Sequence, residues 1–278
     1  MSEPTPAIDP AAAAVATPAG RLFRAGACMF LATLILYAAT TQHGPAWQDS
    51  GIFQWRVLHS DFRGELGIAL AHPLLIAVGS LFRHLPVGDV AYRINLVSAV
   101  FGAIAAASLL MLLLRLFPGR WLLSLVTAGW FALAHTPWWL ATICESQIIL
   151  VAIFTLELHA VVSLVRRPSW SSAATLGLLN GLGLATHNLA LLALPAYGLL
   201  VLWVAYRRRL PVAGVGLFIA AWCVGASPWI GLVLAEASRS GLSDAVRSGL
   251  FGRSWQQSVL LGSGRALKLG PAYVVLNF

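Results

Sequence analysis

Long apolar runs alternate with short arginine-rich stretches along most of the chain. The clearest runs span residues 25–40, 94–114, 121–134, 143–165, 173–206 and 212–234. About 20 apolar residues cross the hydrocarbon core of a bilayer as a helix, so the run at 173–206 is too long for one simple span. It carries His187 near its middle, where we expect a turn between two short helices. The pattern predicts an all-α polytopic integral membrane protein with about seven transmembrane helices.

A polar stretch at 41–92 separates the first two runs. Its density of ionisable side chains would not be tolerated in hydrocarbon, at roughly 2.5–3.5 kcal/mol for each central charge. Within this stretch, residues 66–82 are apolar but few, and they include His72 followed by Pro73. We therefore expect a first outer loop at 41–92 that contains a re-entrant or interfacial helix.

The two ends of the chain depart from the alternating pattern. Residues 1–20 are rich in Ala and Pro, which predicts a disordered cytoplasmic tail. Residues 21–278 are predicted to form one transmembrane domain with a second outer loop at 235–269. The final run, 270–278, looks like the first turns of an unfinished span, so we expect the chain to be incomplete at its C-terminus.

Composition argues against an ordinary soluble domain. Hydrophobic residues make up 59% of the 278 residues and charged residues only 10%, whereas soluble domains carry about 25% charged residues. The net charge of +8 comes almost entirely from Arg at the ends of apolar runs. This placement indicates membrane topology and contact with lipid headgroups, and it predicts that nucleic acid is not a partner.

The arginine clusters also predict an orientation. If the N-terminus is cytoplasmic, the short loops at 115–120, 166–167 and 207–209 all fall in the cytoplasm, and each carries Arg without an acidic residue. Short loops of this kind are the ones that set topology. The same count places Asp49, His72, Arg93, Glu145 and His187 at or near the outer face, where a gathering of ionisable groups is a candidate functional site.

Four segments resemble a known family in their order and spacing. They are Trp47 to Gly51 followed by His72-Pro73, Arg93 to Ala99, Trp139 to Gln147, and Asn180 to Asn188. The first two are similar to the pattern D-S-G-E, H-P-P-G-Y-P-L, R-x-N-L-x-S-A of a bacterial membrane family, domain-of-unknown-function family 2723. That family is related to eukaryotic protein O-mannosyltransferases within the GT-C superfamily. The likeness covers about residues 25–235, and Ile52 stands where the pattern has Glu.

The resemblance implies a GT-C-like fold in the bacterial inner membrane, with the site facing the periplasm or exterior. It also implies a glycosyltransferase that moves a mannose-like sugar from a polyprenyl-phosphate donor to a hydroxyl of a protein, glycan or lipid acceptor. Such a reaction needs a carboxylate to take the acceptor proton, and cationic groups to face the departing phosphate.

The resemblance also implies roles for individual residues. Asp49 is the candidate general base, and Glu145 and His187 complete the candidate catalytic group. The alternative for all three is structural, as residues at or near helix ends. The candidate substrate-binding residues are His72, Arg93, Arg56 and Arg253; for Arg56 a headgroup anchor is the favoured alternative. A divalent cation, Mg²⁺ or Mn²⁺, is a possible cofactor on Asp49 and Glu145.

Two other functions remain open. A transporter or flippase would place its ionisable groups near the bilayer midplane, whereas here they gather at one face. A non-catalytic module that binds a lipid-linked sugar is favoured by Ile52 in place of the pattern's Glu, and by a chain shorter than GT-C enzymes usually have.

Overall fold

The computed structural model describes residues 19–64, 67–207 and 209–252. The helices in these ranges are α1 (Ala19–Thr40), α2 (Gln48–His59), α3 (Pro73–Phe82), α4 (Val90–Leu116), α5 (Trp121–Leu133), α6 (His135–Thr142), α7 (Ser146–Arg166), α8 (Trp170–Thr186), α9 (Leu194–Tyr206), α10 (Val212–Ser240) and α11 (Leu242–Phe251). Short 3₁₀ turns lie at Ile68–Leu70 and Asn188–Leu192. The predicted tail up to residue 18, residues 253–269 of the second outer loop and the unfinished span lie outside the described residues.

Five helical segments of the described chain are long and apolar enough to cross a membrane. They are α1, α4, α7, Asn188–Tyr206 and α10. The predicted count of about seven is not confirmed, because α5 and α8 contain 13 and 17 residues. At 1.5 Å per residue these reach roughly 20 and 26 Å, short of a hydrocarbon core of about 30 Å. The chain is an α-helical integral membrane protein with spans of unequal length.

The polar segments contain more helix than the sequence predicts. The sequence predicts a short turn at 135–139, between two apolar runs, but these residues belong to α6, which continues to Thr142. The expected loop after 234 is helical through α10 and α11. α10 continues through Glu236, whose carboxylate pairs with Arg63 of the first loop at 2.9 Å. The helix ends at Gly241, whose φ of +84° is one that glycine adopts at little cost.

The division of 173–206 is confirmed. α8 ends at Thr186, His187 is extended, and a 3₁₀ turn leads into α9. In the first loop, the apolar stretch at 66–82 forms one 3₁₀ turn and α3, which begins at Pro73. With 10 residues, α3 is too short to span a bilayer. This length agrees with the interfacial or re-entrant helix expected here.

Contacts at both ends of the bundle show how the helices run. Ser98 of α4 bonds to Glu145 just before α7, and Arg115 near the end of α4 bonds to Ser163 near the end of α7. α4 and α7 are therefore parallel, and α5 and α6 return the chain between them. We call the end that holds Glu145 the polar end, and the end that holds Arg115 the basic end.

Glycines allow α8 and α10 to pack with their backbones in close contact. An added Cβ on Gly181 would lie 2.3 Å from the carbonyl oxygen of Trp222, and one on Gly225 would lie 2.3 Å from that of Leu178. Small residues serve this purpose in membrane bundles, where van der Waals packing drives helix association. The parallel pair α8 and α10 is thus held at a distance that only glycine permits.

We expect Gly225→Val to destabilise the protein by roughly 1–3 kcal/mol, because backbone rather than a flexible side chain occupies the space. Thermal unfolding in detergent measures the effect. The matched control is Gly216→Val in the same helix, where an added Cβ meets nothing within 4 Å. Equal losses in the two variants would mean that helix propensity, and not close packing, sets the need for glycine.

Candidate functional site

A cavity of about 780 Å³ opens at the polar end, between α2, the loop that follows it and the start of α4. α2 separates two environments, because Phe53 and Val57 face the core while Trp47 and Trp55 are exposed. The walls of the cavity combine aromatic and aliphatic side chains with a few charged ones: Trp47, Asp49, Ile52, Phe53, Trp55, Arg56, Leu58, Asp61, His72, Val90 and Ile94. A largely apolar cleft with a few polar groups is the usual form of a ligand site.

Asp49 lines this cavity and is exposed to it. It lies in the first turn of α2, one residue after the helix begins, so it is not the N-cap residue considered as the alternative. A carboxylate in the first turn interacts favourably with the helix dipole. The structure therefore presents Asp49 as an accessible carboxylate on a helical frame.

Glu145 lies behind α2, with 7% of its surface exposed. Its Oε1 accepts a hydrogen bond from Ser50 Oγ at 2.8 Å, and its backbone N–H donates to Ser98 Oγ at 3.0 Å. Burial raises the pKa of the Glu145 carboxyl, the hydrogen bond from Ser50 lowers it, and the charge of Asp49 raises it. Asp49 and Glu145 are therefore electrostatic neighbours, one facing the cavity and the other closed off.

A second buried contact holds α2 against α4. Gln54 Nε2 donates to Asn95 Oδ1 at 2.8 Å, and Asn95 Nδ2 donates to the carbonyl oxygen of Gln42. Sequence reasoning did not single out Ser50, Gln54, Asn95 or Ser98. The signal was present, because three of these four residues stand inside the segments that resemble the known family.

Arg56 lines the cavity but is 3% exposed. Its guanidinium donates to four backbone carbonyl oxygens of the loop after α2: Asp61, Phe62, Leu70 and Ala71. The distances range from 2.6 to 3.1 Å. Arg56 thus holds the loop that closes one side of the cavity, and its N–H groups are engaged with the protein.

His72 and His187 lie side by side, with ring centroids 5.1 Å apart. His72 lines the cavity, and its Nδ1 donates to the carbonyl oxygen of Thr186 at 2.7 Å. His187 is not among the lining residues, and its Nδ1 accepts from the backbone N–H of Leu189. Burial lowers the pKa of His187, and burial first among several causes lowers that of His72 to about 4. Both rings are held in environments that favour the neutral form.

We expect the stability of the protein to fall as the pH drops from 6.5 to 4. In this window the unfolded chain protonates His72 and the folded protein does not, so acid favours unfolding by up to roughly 3 kcal/mol. His72→Asn should make the thermal unfolding midpoint less sensitive to pH. Asn tolerates the φ of +45° at this position and keeps a donor for Thr186.

Exposed His135 supplies the control. His135→Asn removes one imidazole from the surface and should leave the acid slope as it is in the wild type. An unchanged slope in His72→Asn would contradict the account of the buried ring.

Arg93 is not among the residues that line the cavity. Arg93 donates to the carbonyl oxygens of Val87, Gly88 and Arg83, so it organises the turn before α4. Arg253 lies outside the described residues. Among the residues that are described, no three His, Cys, Asp or Glu side chains form a group able to hold a metal ion.

Glu157 occupies the middle of α7 and accepts hydrogen bonds from Asn180 at 3.2 Å and Tyr197 at 2.8 Å. A carboxyl group at this depth is costly unless it is bonded within the bundle. The contacts tie α7 to α8 and α9 and satisfy both oxygens of Glu157. We assign this residue to the packing of the bundle, since it lies apart from the cavity.

Together these features define an α-helical integral membrane protein with a cavity and a carboxylate pair at one end of its bundle. A family model described as Protein O-mannosyl-transferase TMEM260 N-terminal domain matches residues 67–210. The chain belongs to this family. The match includes His72, Glu145 and His187, whereas Asp49 and Arg56 precede it. No curated protein and no solved structure matches the chain.

Proposed function

We propose that this protein is a membrane glycosyltransferase of the GT-C type. It moves a mannose-like sugar from a polyprenyl-phosphate donor to an acceptor hydroxyl. The observation that carries the proposal is Asp49, an exposed carboxylate in a membrane-embedded family member, placed in a cavity whose other walls are largely apolar. The description of the matched family supports mannose as the sugar and a protein hydroxyl as the acceptor.

The cavity suits a donor with a lipid tail. Trp47 and Trp55 are 91% and 51% exposed at its mouth, and Ile52 and Leu58 are exposed beside them. Exposed apolar side chains of a membrane protein contact lipid at little free-energy cost, and tryptophan is enriched at the membrane–water interface. A polyprenyl chain therefore enters from the bilayer along α2 while its phosphate and sugar remain at the polar end.

The reaction then follows from the position of Asp49. The acceptor oxygen attacks the anomeric carbon, its proton passes to the Asp49 carboxylate, and the bond from that carbon to the phosphate oxygen breaks. The electron pair of that bond leaves with the polyprenyl phosphate. A positioned base contributes about 10²–10⁴-fold to such a step. Glu145 lies behind Asp49, and its hydrogen bond from Ser50 holds the same turn of α2 in place.

The departing phosphate needs positive charge. Arg56 lines the cavity and contributes its charge there, although its N–H groups hold the loop. A divalent cation in the cavity would meet Asp49 but not Glu145, because Glu145 is closed off behind α2 and bonded to Ser50. Mg²⁺ can bind through a single protein carboxylate and complete its shell with phosphate and water. Asp49 would then hold it, and it would neutralise charge on the phosphate.

The proposed orientation places the polar end outside a plasma membrane, such as the bacterial inner membrane. In the described chain, the basic end carries Arg115, Arg120, Arg166, Arg167 and Arg207 and no Asp or Glu. Cytoplasmic loops carry such an excess of arginine. In a variant without Cys28 and Cys223, a cysteine at position 49 should react with an impermeant reagent in intact cells, and one at position 207 only after permeabilisation.

The test of function is transfer of labelled mannose by the purified protein in liposomes. Polyprenyl-phosphate mannose should label a peptide rich in Ser and Thr, and a nucleotide-linked mannose should not. Labelling from the nucleotide donor alone would contradict the proposal.

A second function rests on one observation. Ile52, an apolar residue where the resembling family pattern has Glu, lies in the cavity wall. Without that carboxylate the cavity suits a non-catalytic module that binds a lipid-linked sugar. Binding of polyprenyl-phosphate mannose without turnover over any tested acceptor would favour this function over transfer.

A further inference from the structure

A second group of polar side chains lies at the basic end, between the last turns of α4 and α7. Arg115 Nη1 donates to His159 Nδ1 at 2.8 Å, and Nη2 donates to Ser163 Oγ at 3.1 Å. His159 Nε2 donates to the carbonyl oxygen of Ser108 at 2.9 Å. An arginine can only donate, so Nδ1 accepts and His159 is neutral. Neutral groups therefore fix the direction of the Arg115 guanidinium.

Arg166 brings a second guanidinium to the same place. Its Nη1 donates to the carbonyl oxygen of Arg115 at 3.0 Å. Within the described part of the chain neither arginine forms an ion pair, because the ion pairs found there lie at the polar end. Two like charges held together at a membrane boundary repel each other, and a bound anion relieves that repulsion.

The surroundings of this pair indicate where the anion comes from. Exposed apolar side chains flank it on both helices: Leu116 and Phe117 beside Arg115, and Val165 beside Arg166. Trp121 and Trp170, also exposed, begin the helices that follow. Tryptophans and arginines at the ends of apolar helices lie at the level of the lipid headgroups. A free anion would make no contact with these exposed apolar side chains, whereas the acyl chains of a lipid would cover them.

We propose that Arg115 and Arg166 form a binding site for the phosphate group of an anionic phospholipid. Arg115 presents a fixed guanidinium between α4 and α7, and Arg166 closes the site from the exposed side. The bound lipid joins the ends of two parallel helices that have α5 and α6 between them in sequence. This lipid site is separate from the cavity, and it does not depend on the function that we propose for the cavity.

The test is lipid binding by the purified full chain in neutral detergent, with bound lipid counted by native mass spectrometry. Phosphatidylglycerol should bind and raise the thermal unfolding midpoint, and phosphatidylcholine should bind less. Arg115→Gln and Arg166→Gln should each weaken phosphatidylglycerol binding about fivefold, the effect expected for one charge at this depth. If Arg115→Gln does not fold, Arg166→Gln carries the test, because Arg166 is exposed and bonds to a backbone carbonyl.

Arg207→Gln is the matched control, since Arg207 is also at the basic end but packs over Trp203. It should bind phosphatidylglycerol as the wild type does. Equal binding by the wild type and the Arg166→Gln variant would overturn the proposal. A midpoint shift reproduced in full by inorganic phosphate would also overturn it, because the site would then be one for a free anion.

Discussion

Asp49→Asn should reduce sugar transfer by about 10²–10⁴-fold while leaving expression and thermal stability close to those of the wild type. The substitution keeps the size of the side chain but removes the group that takes the acceptor proton. Asp49 is exposed to the cavity and lies inside the first turn of α2 rather than at its cap, so little of the fold depends on its charge. Initial rates of mannose transfer in liposomes measure the effect.

Asp61→Asn provides a matched control in the same cavity. Asp61 Oδ1 accepts from the backbone N–H groups of Arg63 and Gly64, and the amide oxygen of Asn can accept the same bonds. This variant should retain most of its transfer activity. Full activity in Asp49→Asn would remove Asp49 from the mechanism, and equal losses in both variants would point to the net charge of the cavity instead of one base.

Arg56→Gln should cost roughly 3 kcal/mol or more in stability, because buried carbonyl oxygens of the loop would lose their donors. The loop closes one side of the cavity, so donor binding should be lost with it. Thermal unfolding and limited proteolysis after residue 61 measure the two consequences. The effect is large because the guanidinium bonds to carbonyl oxygens at both ends of the loop. These belong to Asp61 and Phe62 at its start and to Leu70 and Ala71 at its end.

Arg56→Lys separates a structural role from phosphate binding. Lysine keeps the positive charge but cannot reproduce the planar fork of five N–H groups. If Arg56 organises the loop, both variants should be unstable. A stable Arg56→Lys variant with a normal KM for the donor, next to a stable Arg56→Gln variant with a raised KM, would instead identify Arg56 as a phosphate ligand.

The long spans could be predicted from the sequence because lipid makes an apolar run both necessary and sufficient for a crossing helix. The short helices could not. α6 contains Pro137 in its first turn and only eight residues, which local pattern does not distinguish from a turn. The extension of α10 beyond residue 234 places Glu236 against Arg63, a contact between residues that are far apart in the chain and that local pattern does not reveal.

The candidate site was predictable in its composition but not in its roles. The resemblance brought out Asp49 and His72, which the structure places around one cavity, and Glu145, which it places behind α2. The sequence could not show that the N–H groups of Arg56 and Arg93 donate hydrogen bonds to backbone carbonyl oxygens. Whether an arginine faces a substrate or its own loop depends on the path of the backbone, which neither its residue type nor its spacing reveals.

Photo-crosslinking with a polyprenyl phosphate that carries a reactive group near its phosphate tests the central claim most directly, since it asks whether the lipid-linked donor occupies this cavity. Peptide mapping should place the label on α2, between Trp47 and Leu58, and on the start of α4 near Val90 and Ile94. Unlabelled polyprenyl-phosphate mannose should compete for these positions. Label confined to the lipid-facing sides of α5 and α9, with no competition, would contradict the account.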